Sequence, residues 1–232
     1  MPARTRGSGP DFGVRCVDGR ITWVEATAPT AGDERKPDGR RNGDKVRVPT
    51  GQLVYASETD RTIMLRYLGA IREKRRQWKR AVENALVHPD DGFLIAISGA
   101  MVADAWFEVD HHLPRIVRVL FGLGEPTFSV AVGGSDVVEV GIADQPTVGK
   151  ANGAQVPSRL FLDGDCAPDV SAVLFAPWYL KERPEKRGHP PGWDYIFALN
   201  AHAHRPFPFN APKCGRVFFQ GLQCDDRRGE RQ

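Results

Sequence analysis

The sequence predicts an α/β (α+β) protein with a mixed sheet flanked by helices and a β-rich C-terminal half. Three observations predict it. Residues 10–29, PDFGVRCVDGRITWVEATAP, hold two short strand-like runs, 11–17 and 21–28, joined at Asp18-Gly19. Over residues 58–84, Met64, Leu68, Ile71, Trp78 and Val82 recur at helical spacing, interrupted by Arg75. Residues 93–98, FLIAIS, then form a short, continuously apolar run of the kind buried in parallel sheets.

Composition sets the outer bounds. The chain has 232 residues, 41% hydrophobic and 26% charged, which fits a globular protein with a real core. A net charge of +3 is too small to imply a nucleic-acid partner by itself. No apolar run is long enough to cross a bilayer, which predicts no membrane partner. The opening residues MPARTRGSG lack the apolar stretch of a secretory signal. Cys16, Cys166, Cys214 and Cys224 are scattered and match neither a disulfide framework nor a zinc spacing. A reduced, cytoplasmic protein is expected.

Taken in order, residues 1–9 are basic and polar and are expected to be disordered. The hairpin follows. Val17-Asp18-Gly19 suits a three-residue loop closed by glycine in the left-handed region. That loop pairs residue 16 with 20 and, by extension, Asp11 with Glu25. Opposed residues on antiparallel strands share a face, with Cβ atoms about 5 Å apart. A two-residue turn at Asp18-Gly19 would place the two carboxylates on opposite faces. Residues 30–50 are rich in Gly, Pro and both charge signs and predict a long mobile loop. The helix over 58–84 has Ser57 or Thr59 as its cap, and Pro89-Asp90-Asp91-Gly92 closes the connection to the apolar strand. A right-handed crossover is expected from the strand of Glu25 to 93–98.

Beyond Gly99, residues 113–121 predict a short helix near Pro114, stopped by Gly122. Strand-like runs follow at 127–132, 137–143, 158–162, 170–176 and 195–200. They either extend the central sheet or build a second, β-rich layer over residues 100–210. The segment 211–232 is expected to be loose, with Val217-Phe218-Phe219 as the part that docks.

Glu25 draws attention because Trp23, Val24 and Ala26 flank it, and a carboxylate buried there needs a partner. Arg15 and Arg20, across the hairpin, are the simplest partners. Asp11 after Pro10 also suits an ordinary turn. Together, Pro10-Asp11, the hairpin and Glu25-Ala26-Thr27, followed by a helix and an apolar strand, resemble the core of the PD-(D/E)XK nuclease superfamily. The resemblance covers residues 10–99. It implies a restriction-endonuclease-like fold and a divalent-metal-dependent nuclease. It also implies Asp11, Glu25 and the carbonyl of Ala26 as ligands of Mg²⁺ or Mn²⁺, and nucleic acid, DNA first, as the partner.

The sequence departs from the family pattern at two places. Thr27 stands where the motif carries Lys, so a cation from the helix, Lys74 or Arg75, is expected to replace it. Arg75 lies on the apolar stripe, and Glu25 is its candidate partner. Arg72, Arg76 and Lys79 are the candidate phosphate contacts on the same helix. The family core also opens with a helix and a strand that Met1–Gly9 cannot supply. That leaves the strand over 11–17 as an exposed edge and predicts self-association through it. The competing expectation is a catalytically silent relative, or a fragment, acting as a nucleic-acid-binding or assembly module.

Other clusters carry less. Asp110-His111-His112 lie at a helix start, where adjacent residues do not share a face. His202 and His204, with Cys214 and Cys224, match no zinc spacing. Lys150 in TVGKANG suits a turn. Trp178, Tyr179 and Trp193 border a basic loop that they are expected to anchor. Asp163-Gly164-Asp165 lacks the rest of a calcium loop.

Overall fold

The computed structural model describes residues 9–16, 19–29, 45–47, 53–55, 60–102, 105, 108, 113–130, 137–162, 167–177, 195–207, 215–219 and 222–227. Among these residues, four strands precede the first helix: β1 (Phe12–Arg15), β2 (Ile21–Thr27), β3 (Lys45–Arg47) and β4 (Leu53–Tyr55). Helix α1 (Asp60–Glu83), β5 (Gly92–Ser98) and a single 3₁₀ turn (Gly99–Met101) come next. Helix α2 (Arg115–Phe121) leads into β6 (Leu123–Val130), β7 (Val137–Asp144), β8 (Thr147–Gly149) and β9 (Gln155–Pro157). The chain then adds β10 (Ala172–Ala176), β11 (Ile196–Leu199), β12 (Gly215–Phe219) and β13 (Leu222–Arg227).

The architecture is mixed α/β, centred on a seven-stranded sheet ordered β1-β2-β5-β10-β11-β12-β13. Strand β2 runs parallel to β5 and β5 parallel to β10, whereas β1 is antiparallel to β2 and β11 to β10. The second half therefore extends the central sheet, and β6/β7 and β8/β9 form separate two-stranded ladders. The expectation of a loose segment beyond residue 211 gives way to two further strands, because β12 pairs with β11 and β13 with β12. Lys45–Arg47, inside the segment read as loop, pairs with Leu53–Tyr55.

The hairpin register follows the expected loop length. Phe12 opposes Val24, Gly13 opposes Trp23, Val14 opposes Thr22 and Arg15 opposes Ile21. The amide of Cys16 donates to the carbonyl of Arg20 at 2.7 Å, and Gly19 adopts φ +81°. Glycine takes that left-handed conformation without a Cβ clash. Val17 and Asp18 lie outside the described residues.

Helix α1 packs on one face of the sheet. Trp78 stacks on Phe93 of β5 at 4.6 Å between ring centroids, and Tyr67 meets Phe175 of β10 edge-on at 5.3 Å. The buried stripe of α1 comprises Ile63, Met64, Tyr67, Leu68, Ile71, Trp78 and Ala81. The opposite sheet face gathers Val24, Leu94, Ala172, Leu199 and Val217. Helix α2 is buried along its whole length and ends at Gly122 with φ 66°. Pro114 stands at its N-cap, with φ −57° and ψ 146°, rather than at the first helical position. Residues 158–162 are not a strand. The amides of Arg159 and Phe161 donate to the carbonyls of Val119 and Leu120, which wraps this turn around α2. No helix among the described residues is long and apolar enough to cross a membrane.

Candidate metal and phosphodiester site

The site begins with strand alternation. Trp23, Glu25 and Thr27 point to the α1 side of β2, and Val24 to the other. Trp23 joins the core under α1 and donates from Nε1 to Asp91 Oδ2 at 2.8 Å. Glu25, one pleat further on, is therefore carried into the same layer and is only 4% exposed. A charge that deep is costly to bury unless an opposite charge or a donor meets it.

Lys74 of α1 meets it. Its Nζ lies 2.8 Å from Glu25 Oε2 and 3.0 Å from Gln77 Oε1. Gln77 in turn donates to Glu73 Oε1 at 3.3 Å. The expected pairing of Glu25 with Arg75 is replaced. Arg75 Nε lies 3.0 Å from both carboxylate oxygens of Asp169, which ties α1 to the segment before β10. The helical wheel explains the choice. With all buried positions counted, the stripe centres near Trp78. Lys74 stands about 40° from that centre and Arg75 about 60° on the other side. Nor is Glu25 held by Arg15, which donates to the Gly19 carbonyl at 3.1 Å.

Asp11 arrives from the other strand. It precedes β1 in the register that opposes it to Glu25, and its Oδ2 accepts the amide of Ala26 at 2.7 Å. This bond seats the carboxylate of Asp11 at the residue following Glu25. The structure thus brings together Asp11, Glu25, the backbone of Ala26 and Lys74. Thr27 ends β2 beside them. An apolar cleft lined by Ala26, Ala96, Leu174 and Ala176 opens at the carboxyl ends of β2, β5 and β10, on the sheet face opposite α1, so Glu25 and Lys74 do not line it. That is where ligands commonly enter open sheets with parallel strands.

Two carboxylates and a carbonyl form an all-oxygen donor set, the kind a hard divalent cation takes together with water. Lys74 occupies Oε2 of Glu25, leaving Oε1 as the other donor atom of that carboxylate. Among the described residues, no group of three or more His, Cys, Asp or Glu side chains is arranged to hold a metal.

The remaining candidates lie elsewhere. Arg72, Arg76 and Lys79 fall on the face of α1 turned away from Lys74. Arg72 donates to the Pro157 carbonyl at 3.2 Å, and Arg76 pairs with Glu73 on the surface. Lys150 sits in the turn between β8 and β9, its amide donating to the Ala154 carbonyl at 2.7 Å. His202 and His204 are exposed in the turn after β11. Asp110, His111, His112, Asp163–Asp165, Cys166, Trp178, Tyr179, Trp193 and Cys214 lie outside the described residues.

A second ionic cluster was missed by sequence reasoning. Glu108 is fully buried, and its Oε1 accepts from Arg115 Nε at 2.6 Å and from the Tyr67 hydroxyl at 3.2 Å. Arg115 and Arg118 both reach Asp60, at 3.3 and 3.0 Å, and Arg118 also reaches Glu125 at 2.7 Å. Two arginines inside the apolar run RIVRVLF were the available signal, since buried cations require acids.

Comparison of the chain with protein-family models, with curated proteins and with solved structures gives no significant match.

Proposed function

We propose that this chain is a divalent-metal-dependent phosphodiesterase of the PD-(D/E)XK type, acting on nucleic acid, with a restriction-endonuclease-like core formed by β1, β2, α1 and β5. The observation that carries the reading is the 2.8 Å contact between Lys74 and Glu25. It puts a helix cation beside the motif carboxylate in a chain whose own motif position holds Thr27. Asp11, Glu25 and the Ala26 carbonyl would hold Mg²⁺ or Mn²⁺. Bound there, the metal would lower the pKa of a water and offset negative charge on the phosphate. The chain's own groups supply the rest. Lys74 orients the attacking water and balances charge that builds on the phosphate oxygens. Glu25 holds Lys74 in place through Oε2, and Gln77 holds it from the helix side. Arg75, bound to Asp169, is a structural brace in this reading.

A second reading has one observation in its favour. Lys74 offsets the charge of Glu25, and the Ala26 amide donates to Asp11 Oδ2, so both carboxylates have protein partners without a metal. A silent nucleic-acid-binding or assembly module would look the same.

Relocating the cation separates the two readings. Magnesium-dependent cleavage of plasmid DNA, single-stranded DNA and RNA is measured for wild type, Lys74→Ala, and Lys74→Ala with Thr27→Lys. The expected result is cleavage by wild type, a loss of at least about 100-fold in Lys74→Ala, and recovery of a substantial part when lysine is returned to the motif position. Cleavage unchanged in Lys74→Ala overturns the assignment of Lys74. A folded wild type that cleaves neither DNA nor RNA favours the silent module.

A further inference from the structure

Among the described residues, strand β1 closes one end of the seven-stranded sheet, and all four of its residues are exposed. Phe12 and Val14 are 51% and 50% exposed. Both point to the sheet face opposite α1, because they oppose Val24 and Thr22. Strand edges in native proteins are commonly blunted by proline, bulges or inward charges. Phe12–Arg15 has no proline, its ladder with β2 is regular, and its one charge stands at its end.

The geometry points to a second copy of this chain as the occupant of that edge, paired β1 to β1 antiparallel about a two-fold axis at Gly13. This inference does not depend on the phosphodiesterase reading. Backbone parity comes first. The amides of Cys16 and Ala26 both point into the hairpin. Alternation then directs the peptide groups of even-numbered residues in β1 towards β2 and those of residues 11, 13 and 15 outwards. Only registers that oppose odd residues to odd residues can form the new ladder.

Charge then selects among them. With Gly13 opposite its symmetry mate, Asp11 opposes Arg15 of the second copy, and Arg15 opposes its Asp11. Phe12 and Val14 oppose each other on the other face. Sliding by two residues in either direction shortens the ladder and breaks both charge pairs. The segment 11–15 is thus self-complementary in charge, in apolar contact and in backbone polarity, as an isologous contact must be. Gly13 leaves room on the α1 side, where an added Cβ would press on the ring of Trp23. The product is a continuous sheet through two molecules, with both α1 helices on one side and Arg15 of each copy beside Asp11 of the other. A contact this small makes a reversible dimer rather than an obligate one.

Sedimentation equilibrium over about 1–300 µM tests it, a range that brackets weak association. Wild type is expected to show a monomer–dimer equilibrium. Arg15→Asp opposes two aspartates twice over and should weaken the dimer at least tenfold. Asp11→Arg opposes two arginines and should do the same. An equimolar mixture of these two variants restores both charge pairs and should dimerise again. Val14→Lys, at an exposed position, should also dissociate the dimer while leaving the circular dichroism spectrum and melting temperature unchanged. A monomeric wild type across the range overturns the proposal. So do an Arg15→Asp dimer of wild-type strength and a mixture that stays monomeric while both variants are folded.

Discussion

Glu25 and Lys74 illustrate what one buried charge demands of its surroundings. At 4% exposure the carboxylate has little water to solvate it, so the ammonium 2.8 Å away is what makes its ionised form tolerable. Removing one partner should therefore cost more than removing both. Lys74→Met is expected to destabilise the protein by about 3 kcal/mol in urea denaturation. Combining it with Glu25→Leu should recover most of that loss; a double variant less stable than Lys74→Met would show that the pair is not coupled in this way. The need for a partner was legible from the residues flanking Glu25, but its identity was not. The five apolar positions that mark α1 in the sequence leave out Ile63, Tyr67 and Ala81. Their omission shifted the apparent centre of the stripe towards Arg75 and away from Lys74.

At the level of elements, the hairpin and helix α1 were readable because local chemistry decides them. A glycine able to adopt φ +81° sets the loop length, and the loop length sets which residues face each other. Residues 158–162 resemble a strand in sequence because Leu160, Phe161 and Leu162 are apolar in succession. Their burial is against α2, where Phe161 meets Phe121 edge-on at 5.8 Å, so the apolar run reports packing rather than backbone conformation. The brace between α1 and α2 was equally illegible, since Glu108 and Asp60 come together with Arg115 and Arg118 only in the fold. Its consequence is a pH dependence. Burial lifts the Glu108 carboxyl above its ordinary value of 4.5, against the opposing pull of the Arg115 charge and hydrogen bonds. The folded protein therefore keeps this proton to higher pH than the unfolded chain does. The associated stability is fully present below pH 4.5 and is lost as pH rises through the raised folded value. Unfolding free energies measured across that range should fall with pH in wild type relative to Glu108→Gln, which has no proton to lose. Parallel profiles for the two proteins would contradict this account.

At the scale of the whole molecule, the sheet order explains how distant segments meet at β2. β2 lies between β1 and β5, so Asp11 reaches it from one side while the crossover through α1 lays Lys74 over its face. The first half of this order was legible as strand, strand, helix, strand. The second half was not, because the short runs after Gly99 carry no signal of which strand they will join; β10, β11, β12 and β13 extend the sheet through long-range pairings. We propose that these elements converge on a cation site shared by Asp11 and Glu25. Calorimetric titration of Mn²⁺ into wild type, Asp11→Asn and Glu25→Gln tests it most directly. One site is expected in wild type, lost in both variants while each retains its fold. Absence of binding in wild type, or a site of equal strength in all three folded proteins, would contradict it and leave the two carboxylates with a structural role.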